Sequence, residues 1–474
     1  MQPRSKQFKG NAAAALDQPD LQAALKQLEL GFVAGRARCY ADLPEFESLR
    51  DRAEEVLDHT LENLDHYLCE YEARVVESGG HVHWAGTPAE AREIVLRICR
   101  EAQAKSVIRG KSMVGEEIGI KDALESAGFE VTESDLGEYI LQLADEPPSH
   151  IVAPAIHKTK DHISDLFHER HRALGFEQRQ TERSALVAEA RQVLRQKFID
   201  ADIGMTGANF LIAETGSNVI VTNEGNGDLS STLPRVQIVT AAIDKVVPTL
   251  EDASLLLRLL GRSATGQEIT AYTTFTTGPK RDRDADGARE YHVVLIDNHR
   301  SEMLANELRP MLRCIRCGAC MNHCPVYGRI GGHAYGWVYP GPMGSVLTPT
   351  MVGLEEAGDL PNACTLNGRC ESVCPVKIPL TRMLRSLRSR QHRQRLNSRS
   401  ARIALAIWTR IALHPRLYQL LTRPAMSLMA RLGRKSGRFR RMPLAGGWTR
   451  VRDLPAPQGS TFQAQWRSRR GKSK

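Results

Sequence analysis

With 474 residues, 42% hydrophobic and 25% charged, the chain has an ordinary globular composition and room for two or three domains. No apolar run reaches the ~18 residues of a spanning helix, and no secretory apolar region follows the polar start MQPRSKQFKG, so a cytoplasmic protein with reduced cysteines is expected. The net charge of +9 is uneven: residues 381–474 hold roughly two dozen Lys and Arg against the single acid Asp453, which leaves everything before them net acidic.

The first forty or so residues are small and polar with little periodicity, and only partial order is expected of them. From about residue 44 to 78, Leu49, Ala53, Val56, Leu57, Leu61, Leu64, Tyr67 and Leu68 recur mostly three or four apart, the spacing of one long helix face. Gly79 and Gly80 end that helix, and residues 1–74 are read as an N-terminal helical segment.

Short apolar runs at 81–84, 106–109, 129–133 and 150–153 then alternate with helical segments. Thr87 as N-cap, Pro88 at the first helical position and Glu90 as capping-box partner mark where one of these helices starts. Such alternation calls for parallel strands joined by helical crossovers. Residues 210–213, 219–222, 236–242, 272–276 and 291–296 also read as strands, several separated by glycine turns, so 75–300 is expected to be an α/β domain with a mixed sheet.

Three stretches of this domain place glycines and small polar residues together: 109–113, 206–210, and 214–217 with 223–227. Such segments let a ligand approach the backbone closely, and they equally serve tight turns. Lys111, Glu214 and Asn223 are the candidate polar contacts, but neither a P-loop nor G-x-G-x-x-G is present to support a nucleotide. His157, His162, His168 and His171 lack metal-binding spacing and are expected at the surface.

Seven of the ten cysteines form two motifs, C-x2-C-x2-C-x3-C-P at Cys314, Cys317, Cys320 and Cys324, and C-x5-C-x3-C-P at Cys364, Cys370 and Cys374. Thiolates three residues apart in a tight loop wrap one face of an iron-sulfur cluster, and the cysteine before proline ligates the other cluster in two-cluster ferredoxins. Structural zinc usually takes two separated C-x2-C knuckles instead, and disulfides belong to oxidising compartments. Crossing over gives Cys314, Cys317, Cys320 and Cys374 to cluster one, and Cys324, Cys364 and Cys370 to cluster two. Asn367 stands at the second position of the second motif, so seven thiolates face eight iron sites. Cluster one is therefore read as 4Fe-4S. Cluster two is either 4Fe-4S with one iron bound by water, substrate or a non-cysteine side chain, or 3Fe-4S. The latter resembles the site in the iron-sulfur subunits of succinate dehydrogenases, where the second cysteine is likewise replaced. Cys39, Cys69 and Cys99 stand alone and read as small buried apolar residues.

The long glycine- and proline-rich spacer at 328–349, with helical patterning on both sides, points to a mainly helical dicluster domain over 301–390. In the basic region 391–474, Pro415 separates two apolar stretches, giving a helix pair. Either it packs on the body or it touches an anionic membrane or an acidic partner, and without a recognised motif nucleic acid is not expected.

Together these segments resemble the lactate utilization iron-sulfur protein LutB family. The resemblance rests on Lys111-Ser112-Met113 with Glu116-Glu117, on Asp135 to Ile140, on Pro147 to Lys158, on Thr206 to Asn209, Ala213 to Ser217 and Asn223 to Gly227, and on both cysteine motifs with Pro375 to Leu380. It implies a LUD domain, a dicluster ferredoxin domain and a family-specific C-terminal region. It also implies an oxidoreductase subunit that works with two companion proteins, LutA-like and LutC-like, in oxidising L-lactate to pyruvate, and the sequence leaves the electron acceptor unidentified. The alternatives are that the LUD domain is itself the substrate site, or that another 2-hydroxy acid is oxidised. The family's ligand roles carry over to Cys314, Cys317, Cys320, Cys324, Cys370 and Cys374. Many relatives place a cysteine where this chain has Asn367 and none where it has Cys364, so the second cluster departs from the family pattern.

Overall fold

Apolar runs and helices between residues 81 and 296 resolve into ten strands: β1 (His81–Ala85), β2 (Ser106–Arg109), β3 (Glu130–Glu133), β4 (Ile203–Gly207), β5 (Phe210–Ile212), β6 (Ser217–Thr222), β7 (Val236–Ala242), β8 (Val246–Val247), β9 (Tyr272–Thr276) and β10 (Glu290–Ile296). The structure is a computed structural model that describes residues 3–442, 449 and 452–471. It divides into two units, residues 1–390 and 391–474.

The mixed sheet expected from sequence appears as two sheets. Six strands form one all-parallel sheet in the order β1-β10-β7-β4-β2-β3. The other four form a small sheet, β8-β5-β6-β9, with antiparallel β5-β6 and β6-β9 pairs and a parallel β5-β8 pair. All seven residues of the inner strand β7 are buried, the pattern of a parallel strand covered on both faces. Strand order reverses at β2, which has β3 on one side and β4 on the other. That reversal opens a crevice at the carboxyl ends of β2 and β4, the usual ligand position of an open α/β sheet.

Thr87 caps the helix Pro88–Glu101 as expected, accepting the Glu90 amide at 3.3 Å. The Glu90 carboxylate reaches back to the Gly86 amide at 2.7 Å.

Several expectations fail for identifiable reasons. Residues 150–153 form a turn instead of a strand, because the amides of Val152 and Ala153 both donate to His150 Nδ1 at 3.0 Å. The long helix breaks at Asn63 into Phe46–Glu62 and Leu64–Glu77, where the Asn63 side-chain amide donates to the His59 carbonyl at 2.9 Å. Most of the first forty residues are helical, including Phe8–Leu16, Pro19–Leu28 and Ala34–Ala41. Phe8, Leu25 and Leu28 bury against Cys324, Tyr327, Ile330 and Tyr335, a surface made some 300 residues later in the chain. Cys39 and Cys99 are buried, whereas Cys69 is exposed. Of the four histidines expected at the surface, His171 is buried and hydrogen-bonded to Tyr139 Oη at 2.9 Å and Glu189 Oε1 at 2.7 Å.

Helices Arg300–Leu304, Gly341–Val352 and Leu380–Arg393 frame the cysteine loops, and short helices Ala319–Asn322 and Arg369–Ser372 lie inside them. In the second unit, Arg399–Leu413 and Pro415–Gly433 form a helix pair with Pro415 at the first helical position; Trp408 and Tyr418 meet edge to face at 6.1 Å between centroids. Among the described residues no helix is long and apolar enough to cross a membrane.

Candidate iron-sulfur site

The two cysteine loops repeat one backbone conformation. Arg316 and Gly318 have φ of 58° and 75°; Leu366 and Gly368, at the equivalent places, have 57° and 78°. Two left-handed residues in five make a tight turn, and each loop then enters its short helix. The register aligns Cys364 with Cys314, Asn367 with Cys317 and Cys370 with Cys320. The amide of Ala319 bonds the Cys317 thiol, and at the matching place the amide of Arg369 donates to Asn367 Oδ1 at 3.1 Å. Asn367 thus fills a thiol's place in the turn with an amide oxygen, at an exposed position.

The thiols fall into two electrostatic neighbourhoods that cross the motifs. Burial and then Cys374 and Cys314 push the Cys317 thiol up; Cys320 is raised by burial and then by Cys314, Cys317 and Cys374, with a weaker influence from Cys370. Cys370 is pushed up to about 12 by burial, Cys364 and Cys324, and Cys374 to about 11, chiefly by burial. Cys324 is raised by burial, with Cys364 as its thiol neighbour. Among the described residues no three His, Cys, Asp or Glu side chains lie close enough to share a single metal ion. Thiols grouped across the two motifs suit a polynuclear iron-sulfur group, whose thiolates bind different irons. Backbone amides already aim at sulfur: Leu366 at Cys364 (3.2 Å), Tyr327 at Cys324 (3.5 Å) and Ile378 at Cys374 (3.4 Å).

A belt of cations grips the loop carbonyls, and sequence reading missed it. Arg50 donates twice to the Cys374 carbonyl (2.9 and 2.7 Å), Arg36 to Val373 (3.0 Å), Lys245 to Cys314 (2.7 Å) and Arg388 to Cys364 (2.8 Å). Arg36 and Arg50 come from the segment before residue 75, and nothing in its polar composition signals a contact with cysteines 320 residues away. Positive charge near a cluster favours its reduced, more negative state.

Lys245 also anchors a fully buried ionic network. Its ammonium pairs with Asp244 (2.6 Å), Arg300 bonds Asp244 (3.0 Å) and grips both oxygens of Glu117 (2.8 and 2.7 Å), and Tyr339 donates to Glu117 (2.6 Å). Burial opposes the charge on Asp244, but Lys245, Arg300 and Arg316 hold its carboxyl down at about 2. The Arg316 guanidinium lies 4.9 Å from the Tyr339 ring centroid. Parallel sheet and cysteine loop are therefore locked together by charge pairs that water cannot replace. His150 adds a second tie: its Nε2 meets Asn322 Oδ1 at 2.8 Å while Nδ1 accepts two amides, and burial lowers its pKa to about 4, so the ring is neutral.

At the strand-order reversal lies a cavity of about 260 Å³, walled by Lys111, Ser112, Thr206, Asn223, Lys245 and Arg316 among others. Two of the three candidate polar contacts, Lys111 and Asn223, are in its wall. Glu214 is not, and its Oε1 is spent on the Leu250 amide at 2.5 Å. Arg316, between two cysteines, was not singled out by sequence reading.

The family described as LUD domain matches residues 68–296, 4Fe-4S dicluster domain matches 310–378, and Lactate utilisation protein B, C-terminal, matches 384–471. The chain is 39% identical over 470 residues to "Uncharacterized electron transport protein YkgF" of Escherichia coli (strain K12), covering 98% of each chain. It is 42% identical to "Lactate utilization protein B" of Bacillus licheniformis, covering 98% of this chain and 97% of that one. Its identity to the protein of the same name from Geobacillus thermodenitrificans is 44%, over 90% of each. With three consecutive family matches and relatives that align nearly end to end, the chain belongs to the lactate utilization protein B family of iron-sulfur proteins.

Proposed function

We propose that the chain is an electron-transfer subunit for the oxidation of L-lactate to pyruvate, with cluster one on Cys314, Cys317, Cys320 and Cys374 and cluster two on Cys324, Cys364 and Cys370. The observation that carries the ligand sets is the grouping of thiols across the two motifs, with Cys374 among the first loop's thiols and Cys324 among the second's. Clusters in these positions supply one-electron carriers, and two of them divide the two electrons of a hydroxy acid into single steps. The protein's own part is to hold the thiols in repeated turns, bury them, and set the surrounding charge with Arg36, Arg50, Lys245 and Arg388. Cluster one is 4Fe-4S. Cluster two lacks one thiolate at Asn367, which leaves either a 4Fe-4S cluster with a non-cysteine ligand or a 3Fe-4S cluster; electron paramagnetic resonance of anaerobically purified protein distinguishes the two.

The reading includes two companion proteins, LutA-like and LutC-like, and an acceptor beyond them. The basic 391–474 region suits a peripheral contact with an anionic membrane or an acidic partner. Rapid mixing of the loaded protein with its companions and L-lactate is expected to reduce the clusters within turnover; clusters that stay oxidised through turnover sink the proposal.

A further inference from the structure

The cavity at the strand-order reversal touches the cluster-one loop through Ile315 and Arg316 of its wall. Two donors on it have no partner: Arg316 Nη1 and the hydroxyl of Thr206, a residue only 2% exposed. A buried polar group left unsatisfied costs about 1–3 kcal/mol, so two converging on one cavity call for an occupant that accepts hydrogen bonds. Lys111 brings a second cation to the wall, its ammonium 2.7 Å from the Val152 carbonyl.

The two acids on the wall oppose an anion weakly. Asp135 is engaged in capping the helix Leu136–Ala144, accepting the Gly137 and Glu138 amides at 2.9 and 3.2 Å. Glu224 has its pKa raised by burial and then by Asp135, toward the neutral form. Lys245 adds little net charge, since Asp244 balances it. Size narrows the occupant further: about 260 Å³ is below the ~300–1,000 Å³ of sites for drug-sized molecules. The larger cavity of about 1030 Å³ is a poor rival for an anion, because carboxylates, Glu116, Glu133 and Glu138 among them, outnumber the cations Arg4, Lys121 and Lys158 on its wall.

We propose that the cavity binds a small carboxylate anion, with the Arg316 guanidinium and the Thr206 hydroxyl donating to its oxygens and Lys111 completing the positive wall. This deepens the electron-transfer reading by naming the chemistry of the ligand and placing it against residue 316, between Cys314 and Cys317 of the cluster-one loop. Binding is all that the wall requires; it stands or falls separately from the direction of electron flow.

Isothermal titration of the full-length, cluster-loaded protein under anaerobic conditions tests it, with L-lactate, pyruvate and inorganic phosphate as separate probes. Saturable binding of a carboxylate is expected, weakened about 10- to 100-fold in Thr206→Val and Lys111→Met, the loss that follows from removing a hydrogen bond or charge contact to an anion. Both variants should keep the wild-type cluster absorption. A merely structural Thr206 predicts unchanged affinity in Thr206→Val, and carboxylate binding should alter the cluster-one resonance signal in wild type. Absence of saturable carboxylate binding, tighter binding of phosphate, or wild-type affinity in both variants overturns the site. Carboxylate binding without cluster reduction in the presence of companions removes the electron-transfer reading and leaves the site standing, while cluster reduction without carboxylate binding does the reverse.

Discussion

Replacing Asn367 by cysteine should complete the second cluster. The loop around it already has the conformation of the first, with φ of 57° and 78° at Leu366 and Gly368 against 58° and 75° at Arg316 and Gly318, so a thiol at 367 arrives without backbone rearrangement. What the substitution removes is one exposed hydrogen bond, Arg369 N–H to Asn367 Oδ1 at 3.1 Å, which a thiolate partly replaces as it does at Cys317. The structural cost is therefore at most about 1 kcal/mol, or a Tm change within about 2–4 °C. The gain is one thiolate for one iron. After chelator challenge of anaerobically loaded protein, wild type should retain about seven irons per chain and Asn367→Cys about eight, because each iron of two cubanes then has its own thiolate. Any oxidised 3Fe signal should vanish in the variant. Equal iron retention and an unchanged resonance spectrum would refute the alignment of Asn367 with Cys317, and so would a Cys364→Ser variant that keeps cluster two intact.

Arg300→Met leaves Glu117 and Asp244 buried without their shared partner and should cost about 3–5 kcal/mol, read as a lower denaturant midpoint of the loaded protein. His292, stacked 5.0 Å from His81 between centroids, has its pKa lowered to about 4 by burial and by His83 and His81. Folding therefore favours its neutral ring, and the stability this carries is complete above the unfolded value of about 6.5 and is lost as pH falls toward about 4, by up to about 3 kcal/mol. A His292→Gln variant should flatten the stability profile across that window in equilibrium unfolding. Gly204→Ala would set a Cβ 1.7 Å from the Ser230 carbonyl oxygen, so β4 must move from the helix Asn226–Thr232; a loss of at least about 1–3 kcal/mol is expected in the same assay.

Chemistry that depends on short spacing was legible in the chain. The cysteine intervals and following prolines identified the iron-sulfur motifs, the missing second cysteine exposed the inequality of the two loops, and strand-helix alternation indicated a parallel α/β domain, because each of these is set within a few residues of backbone. Local hydrogen bonding already limited that reading: His150 captured two amides and turned an apolar run away from the sheet, and Asn63 broke one predicted helix into two. Tertiary structure alone brought Arg36 and Arg50 onto the second cysteine loop, buried Phe8 and Leu28 beside Cys324, and set Arg316 in the wall of a cavity at the ends of β2 and β4. Those contacts join residues tens to hundreds of positions apart, and their strength comes from burial that exists only once the surfaces meet. A lone arginine in a polar segment carries no sign of the carbonyl it will hold; the cysteine motifs announce themselves because an iron-sulfur group demands thiolates at fixed intervals.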